Sequence, residues 1–458
     1  MSTNIQKNQI TEGIIWRQLL LFFFPILLGT FFQQLYNTID SVIVGQFVGK
    51  EALAAVGGSS AQIVAFVVGF FTGLSSGASV TIAQFFGAKD SRSANKGLHT
   101  AYAIAAFGGL ILTVSGIILT PFLLEMMNTP ADIVADSAVY LRIYFAGIIF
   151  VLIYNMGSAI LRATGDSKRP LYYLIVCCII NIVLYVLFVI VFHMGVMGVA
   201  VATLIAQAVS AVLVTLKLMR SEGILKLSVK QIRFHGSILK MQLKLGLPTG
   251  FEAILFSITN IAIQSAVNTF GTDTTAAWSA YGKLDAIFWM VSTAFGIAIT
   301  TFVGQNYGAG KMDRVRKSTR VCLLMDFIVS AVLVVFLIAA RFLLFRLFTN
   351  DSHVIEIGCD MLVLITPWYI VYVFIEVIAG ALRGVGNVVV PVAITLLGVC
   401  VLRIAWLAAM LKISPTISAI ILSYPVTWVI TALAFIIYYI YITHKTIAGS
   451  SKKHVPKL

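Results

Sequence analysis

Long apolar runs alternate with short polar segments along this chain. A transmembrane helix needs about 20 apolar residues, because each residue advances the helix by about 1.5 Å and the hydrocarbon core is about 30 Å thick. Twelve runs are long enough, and the linkers between them are short. The runs are 16–44, 53–83, 98–124, 133–158, 171–192, 196–219, 241–268, 276–304, 319–346, 354–380, 391–411 and 416–443. The pattern predicts an all-α polytopic membrane protein with twelve transmembrane helices and no large soluble domain.

The composition agrees with a membrane protein and argues against nucleic-acid binding. Of the 458 residues, 59% are apolar and only 11% are charged, whereas soluble domains have about 25% charged residues. The formal net charge is +14, but Lys and Arg lie in short segments between apolar runs, where they orient a membrane protein. We therefore expect membrane lipids, and no nucleic acid, as partners.

The basic residues concentrate in alternate linkers, which predicts the orientation of the chain. The linkers after the second, fourth, sixth, eighth and tenth runs are basic, and the longest of them is 220–240. The opposite linkers hold little beyond Lys50 and Lys412. Because cytoplasmic loops carry the excess of Lys and Arg, both termini and linker 220–240 are expected in the cytoplasm. The polar start of the sequence does not match a cleavable signal, so the first span should be retained.

The sequence has no motif for a metal centre or for ATP hydrolysis. Its five cysteines lie mostly in apolar runs and lack the spacing of metal ligands or of a disulfide framework. No phosphate-binding GxxxxGK[ST] loop occurs. We expect neither a cofactor nor an enzymatic activity.

Two clusters of residues recur at one fixed shift of 221 positions. A single match of small residues could arise by chance, but one shift fitting two clusters indicates a duplicated six-helix unit. The related pairs are Gln84 and Gln305, Gly87 and Gly308, Ala88 and Ala309, Leu161 and Leu382, Arg162 and Arg383, Gly165 and Gly386, and Pro170 and Pro391.

The duplication predicts two lobes. Six spans is an even number, so both copies enter from the same side, and a pseudo-twofold axis along the membrane normal should relate them. We predict an N-lobe at 1–219 (helices 1–6), a basic cytoplasmic linker at 220–240, a C-lobe at 241–444 (helices 7–12) and a basic tail at 445–458. This architecture is typical of an alternating-access carrier.

The first span contains a carboxylate at Asp40. At 100° per residue, Gln33, Asn37 and Asp40 fall on one face of the helix, and Leu35 and Ile39 lie opposite. A charged residue in hydrocarbon is costly, so it usually faces a protein interior or a water-filled cavity and has a function there. The alternative interpretation is a buried aspartate that only joins helices by hydrogen bonds.

Polar faces on the fifth and sixth spans supply neutral donors in the same lobe. With Asp40 they form a set suited to binding a proton or Na⁺, and a cationic cargo could compete for the carboxylate. The alternative is ordinary hydrogen bonding between helices. The residues are Cys177, Asn181 and Tyr185 on the fifth span, and Thr203, Gln207 and Ser210 on the sixth.

The second lobe combines acids with aromatic rings. Such a combination attracts lipophilic cations through charge and through the ring quadrupole. The alternative is that the rings serve packing or an interfacial belt. The residues are Trp278, Tyr281, Asp285, Trp289 and Ser292 on one face, Tyr369, Tyr372 and Glu376 on another, and Glu252 one turn past Pro248.

These segments resemble the multidrug and toxic compound extrusion (MATE) transporters, in particular their DinF-like prokaryotic branch. The resemblance covers nearly the whole chain: PILLGTFFQQLYNTIDSVIVGQFVG, ALAAVG, FFGAKD, YNMGSAILRATGDSKRP, FVGQNYGAGKMDRV and AGALRGVGN. It implies twelve helices in two lobes, a central cavity, cation-coupled export of organic compounds and a prokaryotic plasma membrane. Matched by position, the family's acid of the first helix is Asp40, its Asn of the fifth is Asn181 and its Thr of the sixth is Thr203.

The chain departs from the family pattern at two positions. DinF-like members commonly have an acid one turn after the Asn of the fifth helix, where this chain has Tyr185. Another branch has an acid well inside the seventh helix, where this chain has Thr259. The first departure weakens a Na⁺ site at Asp40, Asn181 and Thr203, and Glu252 does not take over the role of the second.

We therefore expect an antiporter, coupled to H⁺ or Na⁺, that exports amphipathic and often cationic organic compounds by alternating access and works as a monomer. A flippase of lipid-linked precursors from the same superfamily is the alternative, and a receptor or scaffold is a more distant one. The expected coupling-ion residues are Asp40, Asn181, Tyr185 and Thr203. The expected lining of the substrate cavity is Gln33, Tyr36, Asn37, Asn155, Glu252, Tyr281, Asp285, Tyr372 and Glu376.

Overall fold

Twelve helices long and apolar enough to cross a membrane are found in the computed structural model, which describes residues 10–221 and 225–449. We number them α1 to α12 in chain order. The prediction of an all-α fold with twelve transmembrane helices is confirmed. The helices are Ile15–Val48, Lys50–Gly87, Ser91–Met126, Val134–Ala163, Lys168–Val191, Gly195–Met219, Gly236–Asn268, Thr272–Gly308, Met312–Arg346, Ser352–Gly384, Val389–Ile413 and Ile417–His444.

Several helices begin well before the apolar run that predicts them, because polar residues cap an additional turn. Helix α3 starts at Ser91, and the Asp90 carboxylate accepts a hydrogen bond of 3.0 Å from the backbone N–H of Ser93. The bonds from Ser93 lower the pKa of Asp90, because they favour its charged form. Asp351 caps α10 in the same way, by accepting from the N–H groups of His353 and Val354.

Three helices contain a wide π-helical turn. In α1 it spans Val44–Val48, directly after the turn that carries Asp40. In α5 it spans Val186–Val191 and follows Tyr185 without a break. Such turns occur often at functional sites, and two of the three here adjoin predicted site residues. The third lies in α11, at Leu396–Val401.

The chain divides into two compact units, and both boundaries lie inside helices rather than in a linker. The amino unit is Phe24–Ala253, and the carboxy unit contains the residues up to Phe23 and those from Ile254 onward. The boundaries therefore fall within α1 and within α7. The predicted boundary lies instead in linker 220–240, and the predicted lobes 1–219 and 241–444 remain a prediction from the repeat. Of that linker, the residues from Gly236 onward already belong to α7.

In the amino unit, α2 and the first half of α7 cross so closely that their backbones touch. A Cβ atom added to Gly73 would lie 2.3 Å from the nitrogen of Gly250, and one added to Gly77 would lie 2.4 Å from the carbonyl oxygen of Gln242. Gly246 in turn faces the backbone of Leu74. Small residues spaced four apart permit this approach between membrane helices. The crossing explains why the start of α7 belongs to the amino unit.

In the carboxy unit, the start of α1 packs on α8 through aromatic rings. The rings of Phe23 and Phe295 stack at 4.1 Å between centroids, and Phe22 meets Phe302 edge-on at 5.9 Å. The segment before α1 is fixed by polar contacts to the start of α9. Arg314 donates to the carbonyl oxygen of Ile10, and the ammonium group of Lys311 donates to that of Thr11.

The linker before α7 is attached to the amino unit in a comparable way, and residues 222–224 of it lie outside the described part. Leu227 is buried in the core formed by α2, α3, α4 and α6. The side-chain amide of Asn95 on α3 donates to the carbonyl of Lys226 at 3.2 Å. The N–H of Ser228 donates to the ring of His99 at 3.0 Å. The predicted tail 445–458 is helical as far as Gly449, and its remaining residues lie outside the described part.

Candidate functional site

Two of the predicted coupling-ion residues, Tyr185 and Thr203, lie beside Asp40 in the amino unit. This carboxyl is partly buried, and its Oδ1 atom has no hydrogen-bond partner within the described residues. Tyr185 is a hydrogen-bonding neighbour of the Asp40 carboxyl. No ion pair to Asp40 occurs in the described part of the chain. The group is a carboxyl whose immediate surroundings supply hydroxyls but no compensating cation.

Three hydroxyl groups connect α1, α5 and α6 beside this carboxyl. The hydroxyls of Tyr185 and Thr203 lie 2.9 Å apart, and Tyr36 donates to the Thr203 hydroxyl over a longer distance of 3.4 Å. Thr203 itself donates to the carbonyl oxygen of Val199 at 3.0 Å. Tyr185 is fully buried in the unit. Tyr185, where the resemblance implies a second acid, is therefore a structural member of the site, with its hydroxyl engaged.

Asn181 lies one helical turn before Tyr185 and is completely buried. Neither its amide oxygen nor its amide nitrogen has a hydrogen-bond partner among the described residues. An unsatisfied buried amide costs about 1–3 kcal/mol, so its position calls for a ligand, a water molecule or a second state of the protein. The amino unit thus has buried side-chain oxygen atoms without a partner on Asp40 and on Asn181.

The structure separates the predicted polar face of α1 into two parts. Gln33 and Asn37 are exposed, whereas Tyr36 and the Asp40 carboxyl turn toward α5 and α6. Tyr36, predicted as a cavity residue, instead belongs to the hydroxyl group around Thr203. The remaining predicted cavity residues of this unit are half-buried, namely Asn155 on α4 and Glu252 on α7.

In the carboxy unit, Asp285 receives three hydrogen bonds. Tyr369 donates to its Oδ1 at 2.5 Å, and Tyr281 donates to the same atom at 3.3 Å. The indole N–H of Trp289 donates to Oδ2 at 2.8 Å. Charge-assisted bonds of this kind satisfy a buried carboxylate without a cation. Asp285 is thus a saturated acceptor, in contrast to Asp40.

Aromatic rings surround Asp285 and form part of the core of the unit. Tyr369 stacks on Phe288 at 3.9 Å between ring centroids, and Tyr372 contacts Trp289 at 4.8 Å. Tyr281 and Tyr372, both predicted to line a cavity, are each less than 5% exposed. Both side chains therefore pack in the core, and Tyr281 also orients the Asp285 carboxylate.

Arg403 is held beside this aromatic group without an ion pair in the described residues. Its guanidinium lies 4.0 Å from the centre of the Tyr424 ring and donates to the Thr427 hydroxyl at 3.0 Å. Its Nε atom has no hydrogen-bond partner there. A guanidinium on an aromatic face is stabilised by the ring quadrupole, which replaces part of the lost hydration.

Glu376 is paired with a cation on its own helix. Arg383 donates to its Oε1 at 3.1 Å, and both side chains are about one fifth exposed. Gly296 of α8 leaves the space for this carboxylate, because a Cβ there would lie 2.0 Å from Oε1 of Glu376. The pairing places Glu376 in a fixed position and neutralises its charge locally.

The structure also contains a buried acid that the sequence reasoning missed. Asp326 of α9 is completely buried, accepts a hydrogen bond of 3.2 Å from Ser330, and has no partner for its Oδ2 among the described residues. Glu376 is close enough to interact with it electrostatically. The signal was present, because Asp326 and Ser330 lie one helical turn apart in an otherwise apolar run.

Metal-ligating side chains do not gather in the described residues. There is no group of three or more His, Cys, Asp or Glu that could hold a metal ion. The five cysteines are free and buried.

Comparison with known proteins places these features in a family context. The MatE family model matches residues 25–187 and 248–407. The "Probable multidrug resistance protein YpnP" of Bacillus subtilis is 30% identical over 400 residues, which cover 87% of this chain and 89% of that protein. The "Probable multidrug resistance protein YoeA" of the same organism is 29% identical over 393 residues, 84% of either chain.

Solved structures share the fold along nearly the whole chain. An "Outward-facing conformation of a multidrug resistance MATE family transporter of the MOP superfamily" has a TM-score of 0.89 and covers 99% of this chain and 100% of its own. A MOP superfamily transporter from Pyrococcus furiosus has a TM-score of 0.90 with the same coverage. Both are 20% identical to this chain, so the likeness concerns the fold.

Proposed function

The chain belongs to the MatE family of multidrug efflux transporters, and from this premise we propose that it exports small organic compounds by cation-coupled antiport, with Asp40 exchanging the coupling ion. Transport would proceed by alternating access, in which the coupling ion and the cargo bind to the protein in turn. The observation that carries the proposal is the buried Asp40 Oδ1 atom, which has no hydrogen-bond partner in the described residues.

The chemistry of the Asp40 group supports reversible binding of a cation. A buried carboxylate without an ion pair is costly in its charged form. Binding a proton or a metal cation removes this cost, and an incoming cationic cargo can supply the compensation instead. Asp40 can therefore be occupied by one cation at a time, which is the requirement for antiport. Asp285 and Glu376 are less suited, because donors or Arg383 already satisfy them.

The donor set favours a proton over Na⁺ as the coupling ion. Hard metal cations in proteins take about six or more oxygen ligands, whereas the described residues contain no cluster of three or more acidic, His or Cys side chains at Asp40 or elsewhere. The Thr203 hydroxyl is engaged with Tyr185 and with a backbone carbonyl. A proton needs one carboxylate oxygen, and Asp40 provides it.

Transport in proteoliposomes tests this proposal. We would measure flux of a fluorescent lipophilic cation under separately imposed proton and Na⁺ gradients, for the parent protein, Asp40→Asn and Asp285→Asn. We expect the proton gradient to drive flux in the parent and Asp40→Asn to abolish the response. Asp285→Asn should keep gradient-driven flux, with at most a higher cargo KM. Normal coupling in Asp40→Asn would refute the role of Asp40.

A flippase of lipid-linked precursors is the second candidate, and one observation favours it. Of the acids predicted to attract a cationic cargo, Asp285 is saturated by three donors and Glu376 is paired with Arg383. Less negative charge is thus available for a cation than the sequence suggests. If the parent shows no flux of the lipophilic cation under either gradient but translocates a fluorescent lipid-linked phosphate, this candidate replaces drug export.

The orientation and the oligomeric state belong to the same proposal. We place both termini and linker 220–240 in the cytoplasm of a prokaryotic plasma membrane, because the basic residues concentrate in the segments on that side. The protein would act as a monomer. Labelling of a cysteine introduced at the exposed Lys230, from inside or outside intact cells, tests the orientation, since the five native cysteines are buried.

A further inference from the structure

A cavity lined by basic residues lies in the amino unit, between the start of α3 and the linker that precedes α7. Its volume is 340 Å³. Each of its residues belongs to Phe24–Ala253, so the cavity is formed within one compact unit. The lining consists of Arg92, Asn95, Lys96 and His99 from α3, and Lys230, Gln231, Arg233 and His235 from the linker.

The lining carries a concentration of positive charge, and Asp90, which lies outside the lining, is an acidic neighbour of Arg92. Four of its eight side chains are Lys or Arg, and none of the eight is Asp or Glu. The ion pairs found among the described residues lie elsewhere, at Arg169, Arg316 and Arg383. Like charges repel one another, so an anion bound among these cations would relieve their mutual repulsion.

The walls of the cavity are fixed by hydrogen bonds from both histidines. His99 is buried, its Nδ1–H donates to the carbonyl of Asn95 at 2.8 Å, and its Nε2 accepts from the N–H of Ser228 at 3.0 Å. His235 lies with Nδ1 3.1 Å from the Thr100 hydroxyl, and its Nε2 accepts from Arg233 at 3.3 Å. These bonds attach the linker to α3 and fix the direction of the Arg233 guanidinium.

Basic residues at the start of α9, in the carboxy unit, are paired with backbone oxygens instead. There, Lys311 and Arg314 at the start of α9 donate to the carbonyl oxygens of Thr11 and Ile10 in the preceding segment. In the amino unit, the ammonium groups of Lys96 and Lys230 make no hydrogen bond to the described residues. The requirement for cytoplasmic Lys and Arg is met by either arrangement, so orientation alone does not explain why four cations converge on a cavity.

We propose that this cavity is a binding site for a phosphate-bearing anion, which bridges α3 and the linker before α7 through Arg92, Lys96, Lys230 and Arg233. Phosphate groups carry several charges and acceptor oxygens, which match guanidinium and ammonium donors. Basic pockets at the cytoplasmic side of membrane proteins bind phosphate head groups of lipids by the same chemistry. The anion is either such a head group or a soluble phosphate compound, since both present the same oxygens.

The position of the site would couple anion binding to helix α7. The linker leads into α7 at Gly236, directly after His235, and α7 continues from the amino unit into the carboxy unit. An anion bound between α3 and the linker would fasten the start of α7 more firmly to the amino unit. Its effect on the protein is therefore stabilisation of that attachment, independent of whether Asp40 carries the coupling ion.

Two probes distinguish the sources of the phosphate. The full-length protein in nanodiscs of phosphatidylcholine would be titrated with inorganic pyrophosphate by calorimetry. In a second arm, nanodiscs of phosphatidylcholine alone and with cardiolipin would be compared by the thermal unfolding temperature and by lipid retention in native mass spectrometry. The test variant is Lys230→Gln with Arg233→Gln. The matched control is Lys317→Gln with Arg320→Gln, two exposed basic residues at the start of α9 whose repeat counterparts are Lys96 and His99.

We expect saturable binding of one probe to the parent, a loss of affinity of about 100-fold in the test variant, and less than threefold change in the control. Pyrophosphate binding assigns a soluble ligand, and retained cardiolipin assigns a lipid head group. The proposal is overturned if neither probe binds, or if the test and control variants lose affinity equally, because the charge then acts as a general surface effect. Transport by the parent is not needed for either readout, so failure of the antiport proposal is distinguishable.

Discussion

At the scale of single residues, Tyr185 stands in the amino-unit site where the sequence resemblance implies a second acid. A tyrosine cannot supply a second negative charge at neutral pH, but its hydroxyl contacts Thr203 at 2.9 Å and neighbours the Asp40 carboxyl. When Asp40 is charged, the hydroxyl can turn its proton from Thr203 to Asp40 and so stabilise the charged form. In the proposed mechanism, one carboxylate and a neutral hydrogen-bond donor would then take the place of two acids.

Tyr185→Phe keeps the buried ring and removes only this hydroxyl. We expect the charged form of Asp40 to lose a hydrogen bond worth about 1–2 kcal/mol, so that release of the proton becomes less favourable by about 10-fold. Proton-driven flux in proteoliposomes should fall at neutral pH and recover as the pH is raised. Tyr36→Phe, whose hydroxyl has only a long contact of 3.4 Å to Thr203, is the control and should change flux little. An unchanged pH profile in Tyr185→Phe would contradict the role of its hydroxyl.

His235 gives the basic cavity a dependence on pH. Burial, Arg233 and Lys96 lower the pKa of His235 below its ordinary value of about 6.5, with a smaller contribution from His99. The ring is therefore neutral at pH 7 and accepts from Arg233. A bound phosphate would oppose these charges and raise the pKa, so anion and proton should bind cooperatively. We expect anion affinity to rise by about 3- to 10-fold as the pH falls from 7.5 to 5.5, measured by calorimetry.

The variant His235→Gln separates this effect from the titration of the phosphate itself. Gln keeps a hydrogen-bonding side chain toward Thr100 but cannot gain a proton in this range. Its anion affinity should vary less with pH than that of the parent. Identical pH profiles in the two proteins would show that His235 does not titrate with the anion.

At the scale of elements, the crossing of α2 and α7 depends on the absence of side chains at four glycines. The contacts of Gly73 and Gly77 with the α7 backbone are closer than a Cβ atom allows. Apolar side chains in the lipid offer little driving force between membrane helices, so close backbone packing supplies much of it. The sequence contains these glycines but does not reveal which helices they bring together.

The repeat offers a matched pair of substitutions for this crossing. In Gly250→Ala, the new methyl would lie 2.7 Å from the carbonyl oxygen of Phe70, and we expect destabilisation by about 1–3 kcal/mol. Gly29 is the counterpart of Gly250 by the shift of 221. A Cβ atom added to Gly29 would have no heavy atom of the described residues within 4 Å outside its own helix. Gly29→Ala should be neutral or stabilising by up to about 1 kcal/mol. Thermal unfolding in detergent measures both, and equal effects would exclude the glycine contact as the cause.

At the scale of the whole molecule, the apolar pattern predicted each of the twelve spans because length and hydrophobicity alone define a membrane helix. The site residues Asp40, Asn181 and Thr203 were predicted less directly, through shared helix faces and family resemblance, and their common role stays a prediction. The pattern could not predict that Asp285 is saturated by Tyr369 and Trp289, since these bonds join residues far apart in sequence. The contact of the linker with α3 was also missed, because a basic segment has no periodicity that indicates its partner.

The division of the chain inside α1 and α7 has a consequence for the order in which the protein is made. The amino unit is completed only when the nascent chain has reached Ala253, so α2 presents its glycines to lipid until α7 emerges. The first turns of α1 gain their packing contacts later still, because the ring of Phe23 stacks on that of Phe295, which is synthesised after Ala253. If the ribosome stalled in linker 220–240, neither compact unit would therefore be complete. The two compact units are therefore both completed late in synthesis, after the chain has passed that linker.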